Sequence, residues 1–519
     1  MRLRPSTRAA EPAATGWRRD VAAGALGGLA ALALPPLFLL PVLLVAVPGL
    51  IGLIDGAGRA RTAFRIGFWF GFGHHLIGLY WITDAILIEA ARYWWFVPLA
   101  VPGLAAILAP FIGLACAIAW SARRGWPRVL ALAGAWTLAD LARQFVGTGF
   151  PWNPWGSVWA LPGLAGDVLL QPLAWIGTPG LTMLTVLAAA APVFGRRGWL
   201  GLAAGLAAWA ALGALRLAQP AGPPPGLHVV LAQGDIAQGQ KWDHALAERI
   251  FTRYIVLSQE ALAPLSPGPA VVIWPETASP FLLQTDALAR AAIADGGRAT
   301  TLAGTVRFDE ARRPRNSLVV VSPSGAAIGL YDKWHLVPGG EYMPSWLPIR
   351  IVPGGGFAAG DGPRSLTVPG VPKFGALICY EAIFPHQVID ETDRPEWMVN
   401  ITNDAWFGDS SGPRQHLAAA RMRAVEEGLP LVRAANTGIS AGFDAHGREL
   451  VRLGLGREGT RVLDLPGTLP PTLFGRFGLG IPAGLALLLL GLAWADRVLS
   501  RKPPETRPKV SFCATRPPI

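Results

Sequence analysis

The sequence predicts two joined architectures: an α-helical transmembrane bundle of about eight spans, and one α/β layered domain. Three observations carry this. The 519-residue chain is 52% hydrophobic and only 15% charged, against the roughly 25% charged residues usual in soluble proteins. Long apolar runs recur on both sides of a single mixed stretch, residues 225–466, where Asp, Glu, Lys, His and Asn return together. Arginine and lysine cluster at every second boundary between the apolar runs, as the positive-inside rule requires.

Residues 1–19 are polar and basic, with Arg2, Arg4, Arg8, Arg18 and Arg19, and read as a cytoplasmic N-terminal segment. The apolar run that follows, 21–54, is far longer than a signal-peptide core and has no clear small-residue cleavage site. It suits two spans of about 17 residues each, joined near Pro35-Pro36. Further runs at 63–83, 96–120, 129–141, 168–194 and 200–217 complete seven spans within 20–217. Residues 218–472 form the mixed domain, 473–499 the final span, and 500–519 a polar, Pro-rich and basic tail.

The charges fix an orientation. Arg18-Arg19, Arg59/Arg61/Arg65, Arg123-Arg124/Arg128, Arg196-Arg197 and Arg501-Lys502 alternate with loops 84–95 and 144–166, which are poor in basic residues and rich in Trp and Pro. Both termini are expected in the cytoplasm and 218–472 on the outer face. The net charge of +11 is therefore a topology signal, and no nucleic-acid partner is expected. Trp94-Trp95 and the loop from Phe150 to Gly156 read as interfacial anchors, with a lipid-facing entrance as the sharper alternative. His74 and His75 fall in the third span, close to Tyr80 and Trp81. Ionisable residues at membrane depth are functional candidates, and an interfacial placement is the plainer reading.

Within 225–466, apolar strands at 227–232, 271–274, 318–321, 376–378 and 397–401 alternate with helical stretches such as 245–263 and 413–427. Such alternation argues for α/β layers. Reactive groups are expected at strand ends. Glu276 follows Val271-Val-Ile-Trp274, Lys333 sits in Tyr331-Asp-Lys-Trp-His335, and Cys379 follows Ala376-Leu-Ile378. A thiol needs a base, which a carboxylate supplies, and acyl transfer passes through an oxyanion, which an ammonium stabilises. Taken singly, each residue has an ordinary reading: a buried cysteine, a helix-start carboxylate, a solvated lysine. The three cysteines, Cys116, Cys379 and Cys513, are far apart in sequence and form no disulfide framework or metal cluster. An unpaired Cys379 on the outer face favours a thiol that is used. His335, His386 and His416 are too scattered to suggest a metal.

The segments Trp274-Pro-Glu276, Lys333-Trp-His-Leu-Val-Pro-Gly-Gly-Glu341 and Cys379-Tyr-Glu381 resemble the Glu–Lys–Cys motifs of the nitrilase, or carbon–nitrogen hydrolase, superfamily. The stretches from Asn400 to Gly408 and from Asn436 to Ser440 fit the same pattern. With apolar spans before and after, the whole chain resembles the bacterial apolipoprotein N-acyltransferase family. That resemblance implies an αββα sandwich on the outer face of the inner membrane. It implies Cys379 as nucleophile, Glu276 as general base and Lys333 as oxyanion stabiliser, with Glu341, Tyr380 and Glu381 supporting the site and Trp242 handling substrate. The implied donor is a phospholipid and the implied acceptor a diacylglyceryl-modified apolipoprotein. Beside the resemblance, the chain is expected to be membrane-embedded and monomeric and to need no cofactor and no metal. The Gly339-Gly340 pair before Glu341 departs from the commoner form of that loop. Two other readings stand beside this one. A membrane-tethered amidase or nitrilase would use the same triad with water as acceptor. A transporter with an outer binding domain should carry paired charges in its spans, and apart from His74, His75 and Asp140 few are present.

Overall fold

The computed structural model describes residues 16–88, 90–241, 243–343 and 356–499. Among the described residues, ten α-helices precede the first strand: α1 (Gly16–Ala31), α2 (Leu43–Asp55), α3 (Ala60–Gly78), α4 (Ile82–Leu87), α5 (Ala90–Tyr93), α6 (Val97–Ser121), α7 (Trp126–Ala142), α8 (Gly163–Leu169), α9 (Leu173–Ala189) and α10 (Gly195–Leu217). Two runs, Ala90–Ser121 and Leu173–Leu217, are long and apolar enough to cross a membrane, while Leu40–Asp55 and Gly480–Ala495 are apolar but shorter. Small residues let helix backbones approach closely. The contact between α1 and α3 shows this: a Cβ on Gly27 would lie 1.9 Å from the Phe70 carbonyl oxygen, and one on Gly73 2.0 Å from that of Gly24.

Two of the expected apolar runs are not continuous helices. The run 168–194 is divided between α8 and α9, and α9 itself is interrupted at Gly177, whose φ of 64° is left-handed. Pro172 and Pro179 stand at these interruptions, where a missing N–H and a ring clash disfavour an unbroken helix. The run 473–499 breaks at Gly478 (φ 53°) into a short α14 (Leu473–Phe477) and α15 (Gly480–Leu499).

The mixed stretch folds as β1 (His228–Gln233), α11 (Ala247–Leu262), β2 (Ala270–Ile273), α12 (Ala287–Gly297), β3 (Thr300–Phe308), β4 (Pro314–Val321), β5 (Ala327–Asp332), β6 (Ser365–Val368), β7 (Val371–Ile378), β8 (Trp397–Thr402), α13 (Gly412–Glu427), β9 (Leu431–Ala435), β10 (Ser440–Phe443), β11 (Glu449–Leu453) and β12 (Gly459–Asp464). The strands form two six-stranded sheets, in the orders β12-β1-β2-β3-β4-β5 and β11-β10-β9-β8-β7-β6. Each has three parallel strands at its centre, β1-β2-β3 and β9-β8-β7, with antiparallel strands outside them. Side chains alternate across a strand, and the cores follow that period. Val229 and Leu231 of β1 join Val399 and Ile401 of β8 between the sheets. Val230 and Ala232 face α11 through Phe251 and Tyr254. Leu377 and Met398 of the second sheet face α13 through Leu417, Ala420 and Ala424. The order of layers is therefore αββα.

Helix α13 is also part of the helical region. Its Ala418, Met422 and Val425 belong to the core that the N-terminal helices share. A further apolar cluster joins Leu79, Trp81, Leu108 and Trp152 of the helical region to Tyr380, Ile383 and Phe384 of the sandwich. The two parts thus meet along α13 and along the turn after β7.

Candidate active site

Three elements deliver the reactive side chains to one place. Glu276 follows β2, Lys333 follows β5, and Cys379 stands at the end of β7, where a short 3₁₀ turn (Cys379–Ile383) begins. All three side chains are buried. Lys333 Nζ donates to Glu276 Oε1 at 3.2 Å and to Glu341 Oε1 at 2.9 Å. Asn316 Nδ2, from β4, donates to the same two oxygens at 2.6 and 2.9 Å. Glu276 Oε2 accepts from the Asn403 backbone N–H at 2.8 Å, and Glu341 Oε2 from that of Val337 at 2.9 Å. Two carboxylates side by side, Glu276 buried and Glu341 half-buried, would repel unless a cation stood between them, and Lys333 occupies that position.

The electrostatics follow from this arrangement. Burial works to raise the Glu276 pKa, but the Lys333 and Lys241 ammonium groups and the Asn316 hydrogen bond outweigh it, so the carboxyl lies below its ordinary value. Burial works to lower Lys333, yet Glu276 and Glu341 hold it well above the ordinary lysine value. Burial and the nearby Glu276 push the Cys379 thiol up, with Lys333 opposing them. At neutral pH the cluster therefore holds an ionised carboxylate, a charged lysine and a protonated thiol. A protonated thiol needs a base before it can act as a nucleophile.

Residues 379–381 point in different directions. Glu381 is fully buried and takes no part in the carboxylate pair. Its Oε2 accepts from Tyr331 Oη at 2.9 Å and Ile378 N–H at 2.6 Å, and its Oε1 from Trp334 N–H at 2.7 Å and His335 N–H at 3.3 Å. Burial raises its pKa to about 7, against these hydrogen bonds and the charge of Lys333. Glu381 so ties the end of β7 to the loop that carries Lys333. Tyr380 turns toward the helical region, where its Oη donates to the Gly149 carbonyl at 2.9 Å and its ring lies near Phe150 and Phe384. Trp242 lies outside the described residues.

Other groups complete the site, and two of them, Lys241 and Gln238, carry no local sequence signal. Lys241 is buried, and its Nζ donates to the Glu276 backbone carbonyl at 2.8 Å. Burial lowers its pKa to about 8, with Glu276 and Cys379 opposing the fall. Asn403 is held in turn by Gln238 (2.7 Å) and Asn436 (2.9 Å). Asp404 and His416 lie beside Cys379, the three ligand-type atoms falling within 4.8 Å of one another. A metal would have to compete with hydrogen bonds for these donors. Asp404 Oδ1 accepts from Thr402 and contacts His416 Nδ1, its Oδ2 accepts from Arg433, and His416 Nε2 is engaged by the Cys379 carbonyl.

The aromatic loop expected at the membrane surface is instead interior. Trp152 and Trp155 are 4% and 1% exposed. Trp152 packs on Trp81, and Trp155 on Trp136 and His74. His74 and His75 are buried as well, lining a small cavity with Asp140, Arg143, Asn153 and Trp155. Trp94 and Trp95 remain exposed, at 66% and 54%.

Comparison with known proteins agrees with both halves of this architecture. The family model described as carbon-nitrogen hydrolase matches residues 237–469, and that described as the apolipoprotein N-acyltransferase N-terminal domain matches residues 26–191. The apolipoprotein N-acyltransferase of Bradyrhizobium diazoefficiens is 40% identical, covering 94% of this chain and 97% of its own. That of Rhodopseudomonas palustris is 39% identical over 95% and 97%. That of Brucella suis biovar 1 is 40% identical over 93% and 96%. Identity at this level across nearly the whole length, together with a sandwich fused to a helical region, establishes that the chain belongs to the apolipoprotein N-acyltransferase family.

Proposed function

We propose that the chain acylates lipoproteins by a ping-pong route through Cys379. Glu276 takes the thiol proton as the sulfur attacks an ester carbonyl of a phospholipid. Lys333 stabilises the oxyanion. Collapse releases the lysophospholipid, whose oxygen receives the proton back from Glu276, and leaves an acyl thioester. The α-amino group of an S-diacylglyceryl-cysteine then attacks that thioester and passes a proton to Glu276. The C–S bond breaks, and the sulfur recovers the proton. Glu341 and Asn316 hold Lys333 and Glu276 in register. Glu381 and Tyr380 fix the two sides of the Cys379 turn, and Trp242 is assigned to substrate handling.

The observation that carries this reading is the seat of the nucleophile. Tyr380, Ile383 and Phe384, directly after Cys379, share one apolar cluster with Leu79, Trp81, Leu108 and Trp152 of the helical region. Both substrates are lipids, and drawing an acyl chain out of a bilayer costs about 0.8 kcal/mol per methylene. A site built against membrane helices avoids most of that cost, and a water-poor pocket favours aminolysis of the thioester over hydrolysis. In this reading the helical parts supply eight spans, both termini are cytoplasmic, and the sandwich stands on the periplasmic face of the inner membrane. The alternation of basic clusters along the sequence supports that orientation.

Intact-mass spectrometry of the full chain in detergent, supplied with phospholipid alone, tests the route. One acyl chain should add to the protein, be absent in Cys379→Ala, and move to the amine of a diacylglyceryl-cysteine peptide when that is supplied. Discharge by water alone would instead make the enzyme a hydrolase, and a chain that never acquires an adduct would sink the thioester route.

A further inference from the structure

Cys379 has a φ of 52°. For a residue with a side chain, the left-handed region costs about 1–2 kcal/mol, so the surrounding structure must hold it there. One side of the turn is held by Glu381, which accepts the Ile378 N–H at 2.6 Å. The other side is the Cys379 carbonyl, 3.0 Å from His416 Nε2. A carbonyl only accepts, so Nε2 carries a hydrogen in this contact.

The imidazole is fixed from behind. Its Nδ1 lies 2.9 Å from Asp404 Oδ1 and 3.3 Å from an Arg433 guanidinium nitrogen. Asp404 also accepts from Thr402 Oγ1 at 2.9 Å, and Arg433 donates to Asn400 Oδ1 at 2.6 Å. Asn400, Thr402, Asp404, His416 and Arg433 are all fully buried. Such an array leaves the ring no rotational freedom.

The residue before it, Gln415, does the same on the other side of α13. Its Oε1 accepts from the indole nitrogens of Trp81 (3.0 Å) and Trp152 (2.9 Å). Its Nε2 donates to the carbonyls of Pro35 and Gly78, each at 3.3 Å. All four partners belong to the helical region. One peptide bond thus separates the residue that grips the helical region from the residue that grips the nucleophile's backbone.

We propose that His416 is a positioning residue, whose Nε2–H holds the Cys379 carbonyl and with it the left-handed turn that aims the sulfur, and that Gln415 ties this hold to the docked helical region. The proposal rests on the reading of Cys379 as the nucleophile. It differs from a purely structural role for a buried histidine, because only the one donated hydrogen bond is needed.

Two readouts on the full chain in detergent test it: the rate of thioester formation from phospholipid, and the rate at which iodoacetamide alkylates Cys379, followed by peptide mass mapping. His416→Ala should slow thioester formation about 100-fold through kcat with little change in donor KM, the order of loss expected for a misplaced reacting group. Alkylation of Cys379 should change with it. His416→Gln keeps an N–H that reaches the same carbonyl and should recover to within about tenfold of the parent. Gln415→Ala should move both rates in the direction of His416→Ala. Equal losses in the Ala and Gln variants that track a fall in Tm would reduce His416 to packing and overturn the proposal, as would an unchanged rate in His416→Ala. If His416→Ala does not fold, failure of the Gln variant to retain activity while folded overturns it. Should Cys379 alkylation respond as expected while no phospholipid ever yields a thioester, the positioning role stands and the lipid-transfer reading falls.

Discussion

The charge state of Lys241 gives a test at the scale of one residue. Burial lowers it from 10.5 to about 8. Between those two values the unfolded chain holds a proton that the folded chain lacks, so stability rises with pH through that window. Below about 8 both states are protonated, and the full cost of burying the ammonium remains. Relative to Lys241→Met, the parent should therefore gain Tm from pH 8 to pH 10 and show no such relative gain below pH 7. A difference that is flat across pH 8–10 would show that Lys241 is not perturbed. Among single residues, Glu276 and Cys379 stood out in the sequence because each follows an apolar run read as a strand, whereas Lys333 was singled out by its loop motif, with β5 before it unread. Lys241 was passed over for its neighbour Trp242. Asn316 lies inside β4 and reaches the carboxylates only through antiparallel pairing with β5, where it faces the start of the Lys333 loop. No local pattern carries a contact made across a sheet.

Elements were legible where their period was clean. The strand reading 397–401 became β8, and the helical readings 245–263 and 413–427 became α11 and α13 within a few residues. The helical breaks were harder to see, because apolar composition is the same on both sides of a kink. Gly177 marks one. Besides its positive φ, a Cβ there would lie 2.1 Å from the ring of Phe474 in α14. Gly177→Ala combines left-handed backbone strain with overpacking and should cost about 2–5 kcal/mol. A thermal melt in detergent reads this, and a Tm matching the parent would mean that α9 and α14 do not pack as described.

At the scale of the whole molecule, the sandwich and the helical region form one body through polar as well as apolar contacts. Arg421 of α13 bonds Asp167 Oδ1 and the Leu161 carbonyl at 2.6 Å each, and Glu426 Oε1 accepts from Thr178 N–H and Oγ1 at 2.7 Å each. Residues 225–466 produced without the helices would expose Ala418, Met422 and Val425 together with Ile383 and Phe384. Exposed apolar patches of this kind drive association. That fragment should sediment as aggregate without detergent, and a monodisperse soluble domain would contradict the interface. The presence of two parts was legible from composition alone. How they meet was not, since composition treats the loop 150–156 as a surface feature, whereas Trp152 and Trp155 are buried.

Helix α13 has a consequence for how such a sequence can change over time. It carries three Arg, two Glu, one Gln and one His, yet all its residues but Arg414 and Ala419 are buried. One face lies on the second sheet, another in the helical region, and Gln415, His416, Arg421, Arg423 and Glu426 each bond a partner beyond the helix or along it. An ordinary surface helix keeps a solvent face on which substitutions are nearly neutral. Here that reservoir is absent, so drift in either half of the protein must be matched by this one segment. A saturation library across residues 412–427 would be depleted at almost every position, and the segment would act as a brake on exchanging sandwiches between distant membrane scaffolds.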